Sequence, residues 1–426
     1  MNVLVTYSPD HATRVSPTEV TVPLSKSISN RLSIINALAG NRVLPQRLLA
    51  VCDDTEVMRR ALMSGNSGRI DVGAAGTAMR FLTAYYAATP GCDITLDGSE
   101  RMRRRPISIL VDALRLIGAH IDYLREPGYP PLHIRGRRLE GGSIELDAGV
   151  SSQYTSALLM IAPATTLGIE LTLKGRPVSV PYIMMTLAMM EAYGIGHLDT
   201  RPDNLDWAIK AGPGMYRTPS APYKVEGDWS AASYWYETAA LTGRSFVIDN
   251  LSDISLQGDS RLTDIFGRLG VRTAFEGNRV VITPDQADVA DTGEFKLNMV
   301  DTPDLAQTVI ATCCGLGRPF TIDGLSTLRI KETDRIDALR RELGRLGYPV
   351  EIIGDDTMHW DGRHTGPDTD TPAIKTYNDH RMAMSLAPLA ARHGRLLIQD
   401  ADVVSKSYPD YWQQLSRANF TITGRP

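Results

Sequence analysis

Lysine is rare enough in this chain that each one is a candidate functional residue. The 426 residues include 45 lysines and arginines, and only eight of these are lysines. Lys26, Lys331 and Lys406 each lie in a polar motif, and the tripeptide Ser-Lys-Ser surrounds both Lys26 and Lys406. Lysine and arginine donate charge-assisted hydrogen bonds to phosphate and carboxylate groups. These motifs therefore indicate a site for small anions.

The first of these motifs is PLSKSISNR, residues 23–31, which runs into the apolar segment LSIINALAG. The apolar residues keep helical spacing, and Ser25 or Ser27 has the side chain that caps a helix. Arg31 follows Ser27 by four residues and so shares its helix face. A helix N-terminus attracts anions, so Lys26, Ser27 and Arg31 form a candidate anion site. An ordinary serine cap beside solvated cations explains this motif equally well.

Four more polar segments lead into apolar helices. GAAGTAMR, residues 73–80, lets a ligand approach the backbone closely at Gly76. SSQYT, residues 151–155, taken alone favours a simple cap. LRIKETDR, residues 328–335, predicts a charged first turn capped by Thr333, and YNDHRMAM, residues 377–384, has the same polar-to-apolar form. Asp304 and Glu332 are candidate proton carriers.

The composition and the absent motifs exclude several classes of protein. The net charge of −4 argues against nucleic-acid binding, and the basic cluster at residues 101–106 has no interleaved aromatic residues. The chain has no P-loop, dinucleotide-binding, nucleophile-elbow or zinc-protease motif. Its four cysteines lack metal-ligand spacing. An enzyme acting on small phosphorylated or carboxylated substrates remains.

The elements that must position these residues follow an internal repeat. Four segments have the pattern of an amphipathic helix, a glycine and a strand, and their glycines Gly118, Gly194, Gly270 and Gly347 lie 76 or 77 residues apart. Glycine just past a helix supplies the left-handed C-cap. Short alternating strands such as SIELDA and RVVITP lie between the helices. We therefore predict α+β domains built from several copies of one module.

The sequence also predicts where the protein is found. The N-terminus has no basic region followed by an apolar stretch, so it is not typical of a signal peptide. The longest uncharged stretch, residues 148–169, contains too many polar residues for a membrane span. We therefore expect a cytoplasmic protein, and from its length two or three domains. A loop-like composition at residues 211–222 indicates an inter-domain crossing just beyond it.

Nine segments carry a resemblance to a known family. In chain order they are LSKSISNR, GAAGTAMRFL, GSERMRRRPI, SSQYTSALLM, GDWSAASY, PDLAQTVIAT, LRIKETDRI, YNDHRMAMS and SKSYPDYW. Together they resemble the 5-enolpyruvylshikimate-3-phosphate synthase family over nearly the whole chain. The resemblance implies transfer of the enolpyruvyl group of phosphoenolpyruvate to the 5-hydroxyl of shikimate 3-phosphate, with release of phosphate, in aromatic amino acid biosynthesis.

The resemblance also implies a fold. It is α+β, with two globular domains of three βαβαββ units each, of the inside-out α/β barrel type, and the active site in the inter-domain cleft. One domain is discontinuous and comprises residues 1–24 and 227–426, and the inserted domain comprises residues 25–226. We expect a monomer that needs no metal or organic cofactor and binds neither nucleic acid nor membrane.

The implied reaction proceeds by addition and elimination. Protonation of the methylene carbon of phosphoenolpyruvate makes C2 electrophilic, the 5-hydroxyl adds to give a tetrahedral ketal, and phosphate leaves as a proton is withdrawn. Lysine and arginine offset the repulsion among two phosphates and a carboxylate. The implied catalytic residues are Lys26, Asp304 and Glu332, and the sequence leaves open which carboxylate handles the carbon-bound proton.

The remaining site residues follow from matched motifs. For shikimate 3-phosphate the resemblance implies Lys26, Ser27, Arg31, Ser151, Ser152, Gln153, Ser179, Tyr182, Asp304, Thr327 and Lys331. For phosphoenolpyruvate it implies Lys26, Gly76, Arg101, Gln153, Arg335, Arg381 and Lys406.

Three positions depart from the pattern that many family members share. Ala74 and Thr327 stand where asparagine is common, and Phe81 replaces a proline after GTAMR. The hydroxyl of Thr327 can still donate a hydrogen bond to the shikimate phosphate. Because Gly76 is retained, we expect the pocket to admit glyphosate. Full activity in millimolar herbicide would contradict this expectation.

Three other functions are alternatives. The related transferase acting on UDP-N-acetylglucosamine generally has a cysteine in a mobile loop, and the corresponding segment here, residues 100–106, has none. An inactive ligand-binding homologue is opposed by the retained Asp304 and Glu332. An RNA-end-binding protein of similar α+β units is opposed by the acidic balance.

Overall fold

The computed structural model describes residues 1–9, 16–149, 151–200, 206–285 and 293–425. Its helices are α1 Lys26–Leu38, α2 Asp53–Met63, α3 Gly76–Ala87, α4 Ser108–Leu116, α5 Ser152–Ile161, α6 Val180–Ala192, α7 Trp229–Thr242, α8 Leu262–Gly267, α9 Ala306–Leu316, α10 Arg335–Arg345, α11 His380–Leu386, α12 Ala390–His393 and α13 Tyr411–Ser416. Its strands are β1 Asn2–Tyr7, β2 Thr18–Val20, β3 Ser67–Asp71, β4 Asp93–Asp97, β5 His120–Tyr123, β6 Leu132–Arg135, β7 Gly142–Asp147, β8 Ile169–Lys174, β9 His197–Thr200, β10 Trp207–Ala211, β11 Phe246–Asp249, β12 Val271–Glu276, β13 Arg279–Pro284, β14 Phe295–Asn298, β15 Phe320–Asp323, β16 Glu351–Ile353, β17 Thr357–Trp360, β18 Ala373–Ile374, β19 Arg395–Ile398 and β20 Phe420–Arg425.

The predicted glycine repeat is confirmed. Gly118, Gly194, Gly270 and Gly347 follow α4, α6, α8 and α10 with φ of 102°, 81°, 79° and 90°. Each helix is followed by the strand that the repeat predicts, from β5 to β16. Glycine adopts this left-handed conformation without the penalty that a Cβ imposes. At Gly347 space matters as well, because a Cβ there would lie 2.4 Å from the carbonyl oxygen of Gly366.

The chain forms two compact units, which we call unit 1 (residues 1–24 and 226–426) and unit 2 (residues 25–225). In unit 2 two four-stranded sheets have the orders β3-β4-β6-β5 and β7-β8-β10-β9. In each sheet the first two strands are parallel and the other pairings antiparallel. A helix connects the parallel pair, as parallel strands require, so each sheet with its two helices is a βαβαββ module.

Unit 1 contains three four-stranded sheets. Their orders are β14-β15-β17-β16, β12-β13-β11-β2 and β18-β19-β1-β20. The second and third include the N-terminal strands, since β2 pairs in parallel with β11 and β1 pairs with β19 and β20. The start of the chain therefore completes two modules whose other strands come from its C-terminal half.

The helices that follow the polar motifs are buried inside each unit. In unit 2, α3 packs against α5 and α5 against α6; in unit 1, α7 and α11 pack against α9. Almost every side chain of α7 is buried, including Trp229 and Trp235. Helices that are apolar around their whole circumference occupy a core, whereas strands with one apolar face cover it. The α+β fold class predicted from the sequence is thus confirmed.

One module differs from the expected pattern. Residues 25–66 form α1, α2 and a 3-10 turn, with no strand assigned within that range. The connection between the helices contains Pro45, which lacks the N–H that a sheet ladder needs. Among the described residues, none of the helices combines the length and the hydropathy that a membrane span requires.

Candidate active site

In unit 2, Lys26 begins helix α1. Ser25 caps the helix by accepting a hydrogen bond from the backbone N–H of Ile28 at 3.4 Å, so the predicted serine cap is confirmed. The Nζ of Lys26 lies 2.9 Å from the Oδ2 of Asp54, a buried carboxylate of α2. Asp54 was not foreseen from the sequence. The pair holds the lysine ammonium at the helix N-terminus, where an anionic ligand would be stabilised.

Arg31 joins three helices of unit 2. Its side chain is 2% exposed, and it donates to Thr186 Oγ1 at 2.7 Å, Ser156 Oγ at 3.0 Å and the Tyr182 carbonyl at 3.2 Å. A fourth bond runs to the carbonyl of Ser27 at 3.0 Å, as their shared helix face predicts. All of these acceptors are neutral, and burial lowers the pKa of Arg31 to about 10. Its positive charge therefore stays uncompensated in these contacts.

The openings of α3 and α5 are adjacent. Gln153 Nε2 donates to Thr77 Oγ1 at 3.3 Å, and Ser151 caps α5 by accepting from the Gln153 backbone N–H. Ser152 follows as the first residue of α5 and is buried. Gly76 begins α3, whose cap residue is an alanine without a side-chain acceptor. Serine hydroxyls, an amide and the first N–H groups of two helices therefore converge here.

The basic cluster at residues 101–106 lies over the opening of α3. A Cβ on Gly76 would lie 2.7 Å from Nη1 of Arg105, so the arginine fills the space that the glycine leaves. Asp97 fixes the segment because it is fully buried and accepts from Arg103 Nε at 2.9 Å and Nη2 at 2.7 Å. This hydrogen bonding lowers the pKa of Asp97. Arg101, in contrast, is exposed.

Ser179 and Tyr182 open helix α6. Ser179 is buried and has a left-handed φ of 55°. The Tyr182 ring lies 5.8 Å from the guanidinium carbon of Arg31, within cation–π range. The structure thus gathers Lys26, Ser27, Arg31 and Tyr182 around α1 and α6.

In unit 1, Arg335 is the centre of a buried ionic cluster. It is 1% exposed and donates to Asp379 Oδ2 at 2.7 Å, Glu332 Oε2 at 2.9 Å and Asp304 Oδ1 at 3.1 Å. Burial alone would lower the pKa of Arg335, but the three carboxylates outweigh it and raise the pKa above its ordinary value. Asp379 lies in the YNDHRMAM motif, but its position there does not indicate a role.

Asp304 is surrounded by three cations. Besides Arg335, its carboxylate faces Arg381 Nη2 at 3.2 Å and Lys331 Nζ at 3.8 Å. Burial alone would raise the pKa of Asp304, but the charges of Arg381, Lys331 and Arg335 hold it far below its usual range. This carboxylate is therefore ionised at neutral pH and acts as a hydrogen-bond acceptor.

A buried aspartate, Asp259, is linked to Arg381 through a serine. Arg381 Nη2 donates to Ser230 Oγ at 3.4 Å, and Ser230 donates in turn to Asp259 Oδ2. Asp259 is 2% exposed, and burial together with the charge of Asp304 raises its pKa to about 7. Neither Ser230 nor Asp259 could be recognised from the sequence, because only the fold brings them beside Arg381.

Two predicted residues present buried polar atoms that have no partner within the described part of the chain. The Nζ of Lys406 and the Oγ1 of Thr327 are buried without a hydrogen-bond partner among the described residues. Buried polar groups are nearly always hydrogen-bonded. A polar ligand reaching these atoms would satisfy both.

One local prediction is wrong. Thr333 was expected to cap α10, but the cap is Asp334, whose carboxylate accepts from the Asp337 backbone N–H at 3.2 Å. Aspartate caps at least as well as threonine, and its charge also favours the positive end of the helix dipole.

The contacts described above join many of the predicted residues into two groups, one in each unit, and these contacts do not include Arg101, Thr327 or Lys406. The group of unit 2 has an excess of positive charge and hydroxyl donors, which suits a phosphorylated polyol. The group of unit 1 has carboxylates held by lysine and arginine, which suits proton transfer beside an anionic substrate.

Comparisons with known proteins agree with one another. Residues 55–415 match the profile of a family described as EPSP synthase (3-phosphoshikimate 1-carboxyvinyltransferase). A protein of Bacteroides fragilis named 3-phosphoshikimate 1-carboxyvinyltransferase is 48% identical over 404 residues, which cover 95% of each chain. One of the same name from Idiomarina loihiensis is 37% identical and covers 93% of this chain and 95% of its own. A solved EPSP synthase structure from Acinetobacter baumannii has the same fold, with a TM-score of 0.68, 18% identity and 100% coverage of both chains.

Proposed function

Since the chain belongs to the EPSP synthase family, we propose that its two groups of residues share the work of one reaction. The enzyme is a 3-phosphoshikimate 1-carboxyvinyltransferase of aromatic amino acid biosynthesis. It transfers the enolpyruvyl group of phosphoenolpyruvate to shikimate 3-phosphate and releases phosphate. The proposal concerns which residues perform each step.

Unit 2 binds most of shikimate 3-phosphate in this proposal. Lys26, Ser27 and Arg31 attract its phosphate, with support from Thr327 and Lys331 of unit 1. One N–H of Arg31 has no acceptor in its contacts with described residues, and its charge is matched only by neutral oxygens. A phosphate dianion would supply the missing negative charge.

The remaining shikimate 3-phosphate contacts are hydroxyl and amide groups. They are Ser151, Ser152, Gln153, Ser179 and Tyr182. These groups lie at the openings of α5 and α6, where helical N–H groups also point toward a ligand. Such neutral donors suit the hydroxyls of a sugar-like ring.

Phosphoenolpyruvate is bound in the proposal by cations of both units. They are Lys26, Arg101, Arg335, Arg381 and Lys406, together with Gly76 and Gln153. The buried Nζ of Lys406 without a protein partner among described residues supports its role as an anion ligand. We also propose that glyphosate, a small anion, enters this subsite.

Asp304 and Glu332 handle the protons, assisted by Lys26. The ionised Asp304 accepts a hydrogen bond from the 5-hydroxyl and so directs the hydroxyl oxygen toward C2 of phosphoenolpyruvate. Glu332 stands beside the enolpyruvyl carbon and exchanges a proton with its methylene group. The 5-hydroxyl proton passes to Asp304 as the oxygen bonds to C2 and gives the ketal. The C2–O bond to phosphate then breaks while Glu332 withdraws a methyl proton, which gives the product. The ionised carboxylate inside a cage of three cations carries this proposal.

A phosphate-release assay tests the function. We expect phosphoenolpyruvate to release phosphate with shikimate 3-phosphate and not with UDP-N-acetylglucosamine. Phosphate release only with UDP-N-acetylglucosamine would show that the enzyme is the related transferase instead. No release with either acceptor would overturn the proposal. A cytoplasmic location and a monomeric state remain predictions, which fractionation and light scattering can check.

A further inference from the structure

The turn that precedes helix α11 is strained. Tyr377 and Asn378 have φ of 53° and 56°, so two consecutive residues with side chains adopt the left-handed conformation. This conformation crowds the Cβ against the following carbonyl oxygen and costs free energy. Strained residues persist only where neighbouring contacts fix them, and they cluster at functional sites.

Glu342 of α10 provides contacts that fix this turn. Its Oε1 accepts a hydrogen bond from the Tyr377 hydroxyl at 2.7 Å, and its Oε2 accepts from the Lys375 backbone N–H at 3.0 Å. Glu342 is 1% exposed. Both oxygens of one buried carboxylate are thus directed at the same short segment, on either side of Thr376.

The other end of the segment is attached to the ionic cluster. Asp379 accepts from Arg335 Nε at 2.7 Å and from the Arg381 backbone N–H at 2.9 Å. Arg335 and Glu342 are seven residues apart on α10 and so share one face of the helix, about 10 Å apart. The segment is therefore tied at two points of one helix face, with the strained turn between them.

We propose that Glu342 is a positioning residue of the transfer reaction. It holds Tyr377 and Asn378 in their strained conformation, so that Asp379 reaches Arg335 and the backbone of Arg381 is fixed. Without Glu342 the turn relaxes, and the two arginines lose their alignment. The inference rests on the proposed function, in which Arg335 and Arg381 bind phosphoenolpyruvate.

Steady-state kinetics of Glu342→Gln test the proposal. The amide nitrogen cannot accept a hydrogen bond, so one of the two contacts is lost. We expect the KM for phosphoenolpyruvate to rise about tenfold, with the KM for shikimate 3-phosphate changed by less than about twofold. Asp337→Asn, the matched change on the same helix, should leave both values unchanged, because Asp337 is paired with exposed Arg340 and Arg341.

A rescue variant separates positioning from general stability. Glycine adopts positive φ freely, so adding Asn378→Gly to Glu342→Gln lowers the cost of the turn. We expect the double variant to recover at least about threefold in KM for phosphoenolpyruvate. Where Glu342→Gln folds poorly by thermal unfolding, Tyr377→Phe removes the hydroxyl donor alone and should give the same selective rise.

The outcomes are distinct. A selective rise in the KM for phosphoenolpyruvate with rescue supports the positioning role. Unchanged kinetics in Glu342→Gln and Tyr377→Phe, or an equal loss for both substrates without rescue, would overturn it. Absence of phosphate release by the wild-type enzyme would instead overturn the proposed function, so the two failures are distinguishable.

Discussion

Two buried arginines, Arg31 in unit 2 and Arg335 in unit 1, are equally hidden from solvent but have opposite surroundings. Arg31 donates only to hydroxyl and carbonyl oxygens in its described contacts, and burial lowers its pKa to about 10. Arg335 donates to three carboxylates, which raise its pKa. The same residue type is left with unbalanced charge in one unit and is neutralised in the other.

The contrast extends to the ion pairs around each arginine. In unit 1, these ion pairs join three cations, Lys331, Arg335 and Arg381, to three carboxylates, Asp304, Glu332 and Asp379. In unit 2, Lys26 pairs with Asp54, whereas Arg31 donates to neutral oxygens in its contacts with described residues. An unbalanced cationic group attracts an anion, whereas a balanced one is organised before the ligand arrives. We infer that unit 2 contributes mainly binding and unit 1 mainly proton transfer.

Removing Arg335 should give the largest effect on stability. Arg335→Met leaves the buried Asp379 and the partly buried Asp304 and Glu332 without a shared partner, so we expect a loss of about 3–5 kcal/mol in the free energy of unfolding. Urea denaturation at neutral pH measures it. Arg340→Met, on the exposed face of α10, serves as the control. If Arg335→Met lowers the free energy of unfolding no more than the control does, Arg335 does not stabilise the three carboxylates.

Removing Lys26 should abolish turnover while the protein stays folded. Lys26→Ala also leaves the buried Asp54 without its ammonium partner, at a cost of about 1–3 kcal/mol. Adding Asp54→Asn should restore the stability but not the turnover. Phosphate release and thermal unfolding are the two measurements. A rate near that of the wild-type enzyme would mean that the anion contacts of Lys26 are redundant.

Removing Arg31 should weaken binding more than folding. Arg31→Met leaves no unpaired charge, because its protein partners are neutral, so we expect a stability loss of about 1–2 kcal/mol. The dissociation constant for shikimate 3-phosphate should rise by about 10- to 100-fold, because a charge-assisted phosphate contact is lost. Titration calorimetry measures it. Unaltered affinity would remove the distinction between the two arginines.

The smallest expected effect is a pH dependence of stability from Asp259. Its carboxyl has a pKa of about 7 in the folded chain and about 3.9 when unfolded, so the folded state holds the proton more tightly. The stabilisation is complete below the unfolded pKa and is lost as the pH rises through about 7. Between pH 6.5 and 7.5 this loss is about 0.7 kcal/mol. Urea denaturation at several pH values measures the free energy of unfolding. Asp259→Asn should remove this pH dependence, and an Asp259→Asn variant with the wild-type pH dependence would contradict the prediction.

The repeat and the helix openings could be predicted from the sequence because their signals are local. Gly118 and its counterparts show the repeat through spacing alone, and Ser25 shows a cap through its position before an apolar helix. Thr333 was mistaken for the cap because Asp334, beside it, is an equally good acceptor. Local patterns therefore place a helix cap to within a residue or two, but they do not always identify which residue is the cap.

The charge environment of each site residue could not be predicted from the sequence. Ser156 and Thr186 lie 125 and 155 residues from Arg31, and their spacing carries no sign of contact. Asp259 is linked to Arg381 through Ser230. Arg31 and Arg335 were both assigned to ligand binding from their motifs. Only the fold shows that one is surrounded by neutral oxygens and the other by carboxylates.

The division between binding and proton transfer is tested most directly by Glu332→Gln. Titration calorimetry with shikimate 3-phosphate, together with the phosphate-release assay on the same preparation, gives both readings. We predict a dissociation constant within about threefold of the wild-type value and phosphate release lowered by at least about 100-fold. Phosphate release at the wild-type rate, or affinity lowered in proportion to the rate, would contradict the division.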